Sequence, residues 1–324
     1  MNENFSAEER VLLRGKQVRE NELKSLQAWY PVLLGNDALW WRYFGKKKFS
    51  EPFFHDTVSI LNRQHSPCLQ TAFDAARKLD DVIAPSAFIF HVSRCGSTLL
   101  TQLLASMPEC IVMSESSVID SFLRRYHAGE IQGDAGKLLR DIVSALGQRR
   151  FAEESHFFIK LDSWHIASLP LFRRVFPDTP FLFLYREPKQ VLASHQRQRG
   201  RQMVPGMVNA AMPALDFSSL PPSDLDAYCI KMLAYFFSNA HRYANELIII
   251  NYQQLPHIVW DTLLEYFSIS PSPAQLKEMK LRSTIHSKNK TIFSGDPQDI
   301  KSVDTRTCAI INPHYAILEQ LRAF

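Results

Sequence analysis

Several common signatures are missing from this 324-residue chain. Its five cysteines (Cys68, Cys95, Cys110, Cys229 and Cys308) are an odd, scattered set with no C-x-x-C pair. That excludes a disulfide framework and the usual zinc spacings. Neither G-x-x-x-x-G-K-[ST] nor G-x-G-x-x-G occurs, so a Walker loop and a dinucleotide fingerprint are both absent. No run approaches the ~18 apolar residues of a membrane span. The start, Met1 to Arg10, lacks the basic and apolar regions of a signal peptide. A net charge of +4 is too small to argue for a nucleic-acid partner, although it suits an anionic ligand. These absences predict a reduced, cytoplasmic protein with no membrane and no nucleic-acid partner. What is present is ordinary globular composition, 46% hydrophobic and 22% charged, enough for a large α/β domain with an accessory segment.

Residues 1–84 read as an accessory helical region. Ser6 with Glu9 makes a capping-box pattern ahead of Val11, Leu12 and Leu13. Further helical patterns start at Glu51 to Asp56 and run from Thr71 to Lys78, and no strand is expected. The aromatic run Leu39 to Phe44, followed by Lys46, Lys47 and Lys48, could stack on nucleic acid; packing against the main domain with solvated lysines is the better-supported alternative. From about residue 85 the rhythm becomes strand, helix, strand, helix. Strands are predicted over Phe88–Val92, Cys110–Met113, Phe157–Leu161, Phe181–Tyr185 and Leu247–Asn251. Helical patterns begin near Thr98, Val118, Asp134, Ser163, Pro188, Ser223 and Gln253. Short apolar strands separated by amphipathic helices predict an α/β fold, a parallel central sheet flanked by helices. Ligands of such sheets gather at the carboxyl ends of the strands.

The first such end is Ser93-Arg94-Cys95-Gly96-Ser97-Thr98-Leu99-Leu100. A buried strand, a turn with one glycine and a hydroxyl-rich helix start make an anion site, because free first-turn amides and the helix dipole favour negative charge. Many such joints hold no ligand, so a second segment is needed. It follows the strand at Phe181–Tyr185: Arg186, Pro188 at a first helical turn, and Ser194 about two helical turns beyond Arg186.

In combination the two segments resemble the sulfotransferases that use 3′-phosphoadenosine-5′-phosphosulfate, and the form of the first looks more like the bacterial branch. The resemblance covers roughly residues 85 to 300. It implies the P-loop-NTPase-like sulfotransferase fold over residues 85–324, with 3′-phosphoadenosine-5′-phosphosulfate as donor cosubstrate. In the family's [KR]-x-G-[ST]-[ST] pattern, Arg94, Cys95, Gly96, Ser97 and Thr98 would cradle the 5′-phosphosulfate. In its R-x-P-x-x-x-x-x-S pattern, Arg186 and Ser194 would grip the 3′-phosphate. A late basic segment, His286-Ser287-Lys288-Asn289-Lys290, would close over that phosphate through Lys288, or be a solvated loop. Asn251-Tyr252-Gln253-Gln254-Leu255 resembles a further family segment whose acids are replaced here by Gln253 and Gln254. Tyr252 is read as packing or hydrogen bonding under the nucleotide.

The implied reaction moves a sulfonate to a hydroxyl or amine of a small-molecule or glycan acceptor. Arg94 would stabilise charge on the transferring group; as an arginine it binds as a planar fork and cannot donate a proton. No metal is expected, since arginines and amides supply the positive charge. The base is Glu115, after the second strand, or Asp162, after the third, with His165 a third choice. Asp162 could instead cap the helix beginning near Trp164. Lys160 would neutralise sulfonate charge or pair with a carboxylate. Residues 197–222, long and turn-rich, are expected to cover the acceptor. The rival readings are a nucleotide-dependent kinase or NTPase of related fold, and a non-catalytic nucleotide-binding module.

Overall fold

The computed structural model describes residues 6–208, 215–221, 223–285 and 308–322. Its N-terminal part corrects the expectation of a helical region. Helix α1 (Ala7–Leu12) forms with the Ser6–Glu9 capping box, and α2 (Phe54–Arg63) forms as well. The remainder is organised by a sheet of β1 (Gln17–Val18), β2 (Trp29–Leu34), β3 (Leu39–Tyr43) and β4 (Cys68–Thr71), in the order β1-β4-β3-β2. β2 and β3 are an antiparallel hairpin, closed by the Gly35 N–H donating to the Ala38 carbonyl at 2.9 Å. Pro31 hides this strand from sequence reasoning. It is tolerated because β2 is an edge strand and the register slips between Pro31 and Leu33, two settings that spare a missing N–H. The aromatic run is core: Trp40 and Trp41 are fully buried, and their indole N–H groups donate to Glu9 Oε1 at 3.0 Å and Thr71 Oγ1 at 2.9 Å.

The second sheet is the predicted one. β5 (Ala87–His91), β6 (Cys110–Ser114), β7 (His156–Lys160), β8 (Phe181–Tyr185) and β9 (Ile248–Asn251) lie in the order β6-β7-β5-β8-β9, every neighbouring pair parallel. Every residue of β5 and β8 is buried, as continuous apolar runs demand when helices cover both faces. Those helices are α3 (Ser97–Leu104), α4 (Ser117–His127), α5 (Ala135–Leu146), α6 (Leu169–Val175), α7 (Pro188–Arg197) and α8 (Leu225–Arg242), followed by α9 (Leu264–Tyr266), α10 (Pro273–Ser283) and α11 (Asn312–Gln320). The helix expected from Ser163 begins as a 3-10 segment, Ser163–Ser168, and Tyr252–Gln254 is a single 3-10 turn. Among the described residues no helix is long and apolar enough to cross a membrane.

α4 and the end of α5 join the two sheets. Ser117 Oγ donates to the Val32 carbonyl at 2.7 Å, Leu34 N–H donates to Ser121 Oγ at 2.9 Å, and Arg125 donates to the Gly35 and Asn36 carbonyls. The Ala28 N–H donates to Gln148 Oε1 at 2.9 Å, and the buried Gln148 amide donates to the Trp29 and Ala145 carbonyls. Side chains thus satisfy an edge that would otherwise offer unpaired backbone, and apolar residues of both parts share one core. From β5 the chain runs to the far edge at β6, returns to β7, then crosses to β8 on the other side of β5. The carboxyl ends of β7, β5 and β8 therefore bound a crevice at this switch point.

Candidate active site

The loop after β5 is built from unusual backbone. Ser93, Arg94 and Gly96 have φ of 72°, 51° and 80°. Left-handed residues other than glycine are disfavoured, so their surroundings must hold them. They do: Ser93 N–H donates to His91 Nδ1 at 3.0 Å, Gln202 Nε2 to Ser93 Oγ at 2.8 Å, and Cys95 Sγ to the Leu184 carbonyl at 3.2 Å. Burial pushes the Cys95 thiol up to about 11, so it stays protonated and inert. Gly96 is required on two counts, since a Cβ there would also lie 2.6 Å from Leu255 and 2.8 Å from the Tyr252 ring. No side chain caps α3, so Ser97 and Thr98 begin a helix whose first amides face the crevice without an internal acceptor. Arg94 is half-buried, and its guanidinium donates to the Gln198 carbonyl.

The loop after β8 brings the second pair. Arg186 is 9% exposed, and its Nε donates to Gln190 Oε1 at 2.7 Å. Its guanidinium lies 4.2 Å from the centroid of the Tyr252 ring. Tyr252 thus touches both loops, packing against Gly96 and stacking under Arg186. A cavity of about 870 Å³ is lined by Arg94 to Thr98, Arg186, Ser194, Glu115 and Asp162. The structure therefore brings all of these onto one cavity; His165, the third choice of base, is not on its lining, and Lys288, with His286 to Lys290, lies outside the described residues.

The crevice also gathers the titratable groups. Glu115 follows β6 with φ 54°, its N–H donating to the Lys160 carbonyl at 2.8 Å. Its Oε1 lies 2.9 Å from Lys160 Nζ and 3.6 Å from His91 Nε2. Burial alone would push Glu115 up, but the Lys160 ammonium and His91 outweigh it and hold the carboxyl well below the usual range. Lys160 is fully buried, with Nζ 3.5 Å from Thr98 Oγ1 and 4.7 Å over the Phe53 ring. It both pairs with a carboxylate and reaches the loop that starts α3. Asp162 behaves oppositely: burial and the negative charges of Glu115 and Asp120 raise its pKa well above the ordinary value.

His165 is committed elsewhere. Its Nδ1 accepts the Asp162 N–H at 3.3 Å, so Nε2 carries the proton and donates to Asp120 Oδ1 at 3.0 Å. Asp120 also accepts from Trp164 Nε1 at 2.8 Å and Arg124 Nε at 2.7 Å. Asp120, Asp162 and His165 lie close enough to share an ion, yet their hydrogen bonds already engage Asp120 and both nitrogens of His165. Sequence reasoning missed Asp120, for which the sequence carries no signal. It also missed His91, whose signal is a lone polar residue in an apolar strand. The N-terminal sheet was a further omission, since Leu33, Leu34, Asn36 and Phe53 line the same cavity. Beyond α7, Arg201, Gln202 and Met207 line it too.

Comparison with known proteins adds the family. No curated protein matches the chain. Among solved structures, a sulfotransferase of Mycobacterium avium is similar at 11% identity over 74% of this chain and 77% of its own, with a TM-score of 0.48. One from Alicyclobacillus acidocaldarius is 13% identical over 75% of this chain and 98% of its own, TM-score 0.40. The sulfotransferase domain from the curacin biosynthetic pathway is 14% identical over 70% and 83%, TM-score 0.37. The model of the sulfotransferase family matches residues 85–255, more than half of the sequence and the span that holds both loops and both carboxylates. On that match the chain belongs to the sulfotransferase family.

Proposed function

We propose that the protein transfers a sulfonate from 3′-phosphoadenosine-5′-phosphosulfate to a hydroxyl or amine of a small-molecule or glycan acceptor. The observation that supports this reading is that two donor-rich loops, at the ends of adjacent strands β5 and β8, open onto one cavity and share Tyr252. A nucleotide with phosphates at two ends fits that donor set. Amides and hydroxyls of Gly96, Ser97 and Thr98, with Arg94, serve the 5′ end, and Arg186 with Ser194 serves the 3′ end. The cavity volume, about 870 Å³, falls within the range of small-ligand sites.

Glu115 is the proton acceptor in this reading. Arg94, the loop amides and Lys160 neutralise charge on the sulfonate and on the departing phosphate. The acceptor's oxygen or nitrogen forms a bond to sulfur while the bond from sulfur to the bridging phosphate oxygen breaks. The electron pair leaves with the phosphate, and the acceptor's proton passes to Glu115. Negative charge arriving beside Lys160 competes for its ammonium, which restores basicity to Glu115 at the moment it is needed. Asp162, with its raised pKa, lines the acceptor side as a neutral hydrogen-bonding carboxyl. Of the segment 197–222, residues 209–214 and 222 lie outside the described residues; its Arg201, Gln202 and Met207, on the cavity wall, would cover the acceptor together with Leu33, Asn36 and Phe53 of the N-terminal part.

Thermal unfolding with added nucleotide tests the donor. Ligand bound by the native state alone raises Tm by mass action. The bisphosphate 3′-phosphoadenosine-5′-phosphate should raise Tm by several degrees at a concentration of about 100 Kd, and ATP with magnesium by less. A shift with ATP-magnesium and none with the bisphosphate would transfer the protein to the kinase or NTPase reading.

A further inference from the structure

His91 ends β5 with 5% of its surface exposed, in a strand otherwise composed of Ala87, Phe88, Ile89 and Phe90. An imidazole there costs free energy unless its nitrogens find partners. Nδ1 has one, the Ser93 N–H at 3.0 Å. A nitrogen that accepts carries no proton, so the neutral ring holds its proton on Nε2. Burial, reinforced by Lys160, keeps the ring's pKa below its ordinary value against the pull of Glu115. Nε2 meets no partner at hydrogen-bond geometry among the described residues; it faces Glu115 Oε1 at 3.6 Å, and the Leu161 backbone also approaches the ring. That is just beyond hydrogen-bond length, and such contacts often tighten when ligand binds.

Both groups that approach the Glu115 carboxylate do so at the same atom. Lys160 Nζ and His91 Nε2 converge on Oε1, while no described residue bonds Oε2. The carboxylate side chain keeps 21% of its surface exposed. Resting on the reading of Glu115 as base, we propose that His91 is a positioning residue: with Lys160 it fixes Oε1 from two sides, so that Oε2 is the atom that takes the acceptor's proton. The same ring is anchored through Nδ1 to the left-handed Ser93. It therefore ties the orientation of the base to the conformation of the loop that receives the donor, independently of Lys160. The ionisable groups facing this pair are Lys160 and Asp162 from the end of β7.

The test uses the full chain and two variants. His91→Gln returns an amide N–H near the position of Nε2, and His91→Phe fills the ring's volume without a donor. The probe is hydrolysis of 3′-phosphoadenosine-5′-phosphosulfate, with water as acceptor, alongside binding of 3′-phosphoadenosine-5′-phosphate. All three proteins should bind the bisphosphate within about threefold. His91→Phe should lower kcat about tenfold and move the acid limb of the pH profile up by about one unit, since one unit corresponds to about the free energy of one hydrogen bond. His91→Gln should recover both. Nitrogen NMR of the native protein should show the His91 ring neutral with its proton on Nε2 at pH 7, and that proton's signal should move in Glu115→Gln. Unchanged kcat and acid limb in His91→Phe, beside an inactive Glu115→Gln, overturn the assignment of His91 alone. So does a ring that is charged or protonated on Nδ1, which decides the matter even if a variant fails to fold or hydrolysis is too slow to time. Loss of bisphosphate binding in the native protein, or full turnover in Glu115→Gln, instead overturns the reading on which the assignment rests.

Discussion

Glu115 and Asp162 follow neighbouring parallel strands, line one cavity and share the field of Lys160, yet their surroundings drive them apart. Glu115 has the ammonium in contact, 2.9 Å from Oε1, and stays ionised. Asp162 has no such contact. Its near neighbours are two carboxylates and His165, whose Nε2 lies 3.9 Å from Oδ2 but is engaged by Asp120, and the opposing charges of Arg201 and Lys160 are too weak to compensate. Burial pushes both carboxyls up, so burial does not distinguish them. What distinguishes them is which one touches the only lysine buried in the crevice among the described residues. One ammonium between two acids leaves one carboxyl ionised and the other with a raised pKa, a division that the proposed reaction would use to take one proton and hold a polar acceptor.

The largest effect should follow from Glu115→Gln. It keeps the shape and the contact to Lys160 but cannot take a proton. Turnover should fall by about 10²–10⁴-fold, the usual worth of a positioned base, with bisphosphate affinity nearly unchanged. The same variant removes one of the charges that raise Asp162, so Asp162 should ionise at lower pH in it. Retained activity would shift the base to Asp162.

Lys160→Met should come next, because it erases the distinction between the two acids. Without the ammonium, burial dominates at Glu115 as it does at Asp162, and both hold protons to higher pH. The acid limb of the pH profile should move upward, with turnover at pH 7 down about 10–100-fold. Removing one partner of a buried pair also costs about 3 kcal/mol, at the low end for such losses because Glu115 keeps some exposure. Urea unfolding checks that cost. An acid limb that stays where it is would mean that Lys160 does not control Glu115.

How far this site was legible in the sequence depended on range. The strand ends were readable because fully buried parallel strands are plain apolar runs, as in Phe181 to Tyr185. Both loops were readable because Arg94 to Thr98 and Arg186 to Ser194 are contiguous, with spacing set by turn and helix geometry. Glu115 and Asp162 were candidates because each follows a strand at a place where the sulfotransferase resemblance implies a base. What ranked them was not readable. The contact of Lys160 with Glu115 links residues on different strands, and a charge balance over four elements has no local signature. The N-terminal sheet was missed for the opposite reason: Pro31 and tryptophan-rich strands obscured a local signal, the turn at Gly35 to Ala38, that was present.

The smallest and most specific expectation concerns stability against pH. Glu115 has a depressed pKa, so below its ordinary value of 4.5 the unfolded chain binds a proton that the fold refuses. Stability from Glu115 is present above that pH and lost as pH falls. Asp162 has a raised pKa, so above its ordinary value of 3.8 the fold keeps a proton that the unfolded chain has released. Its contribution therefore erodes stability as pH rises from about 4 through the folded pKa, by up to about 1.4 kcal/mol per unit. Asp162→Asn fixes the neutral form. Its unfolding free energy should match the native protein's near pH 4 and exceed it increasingly toward pH 8, while turnover changes by less than about tenfold. Urea denaturation of the two proteins at pH 4, 6 and 8 measures this directly. A gap between them that does not widen with pH would show that Asp162 ionises normally, and the opposition between the two carboxylates would be lost.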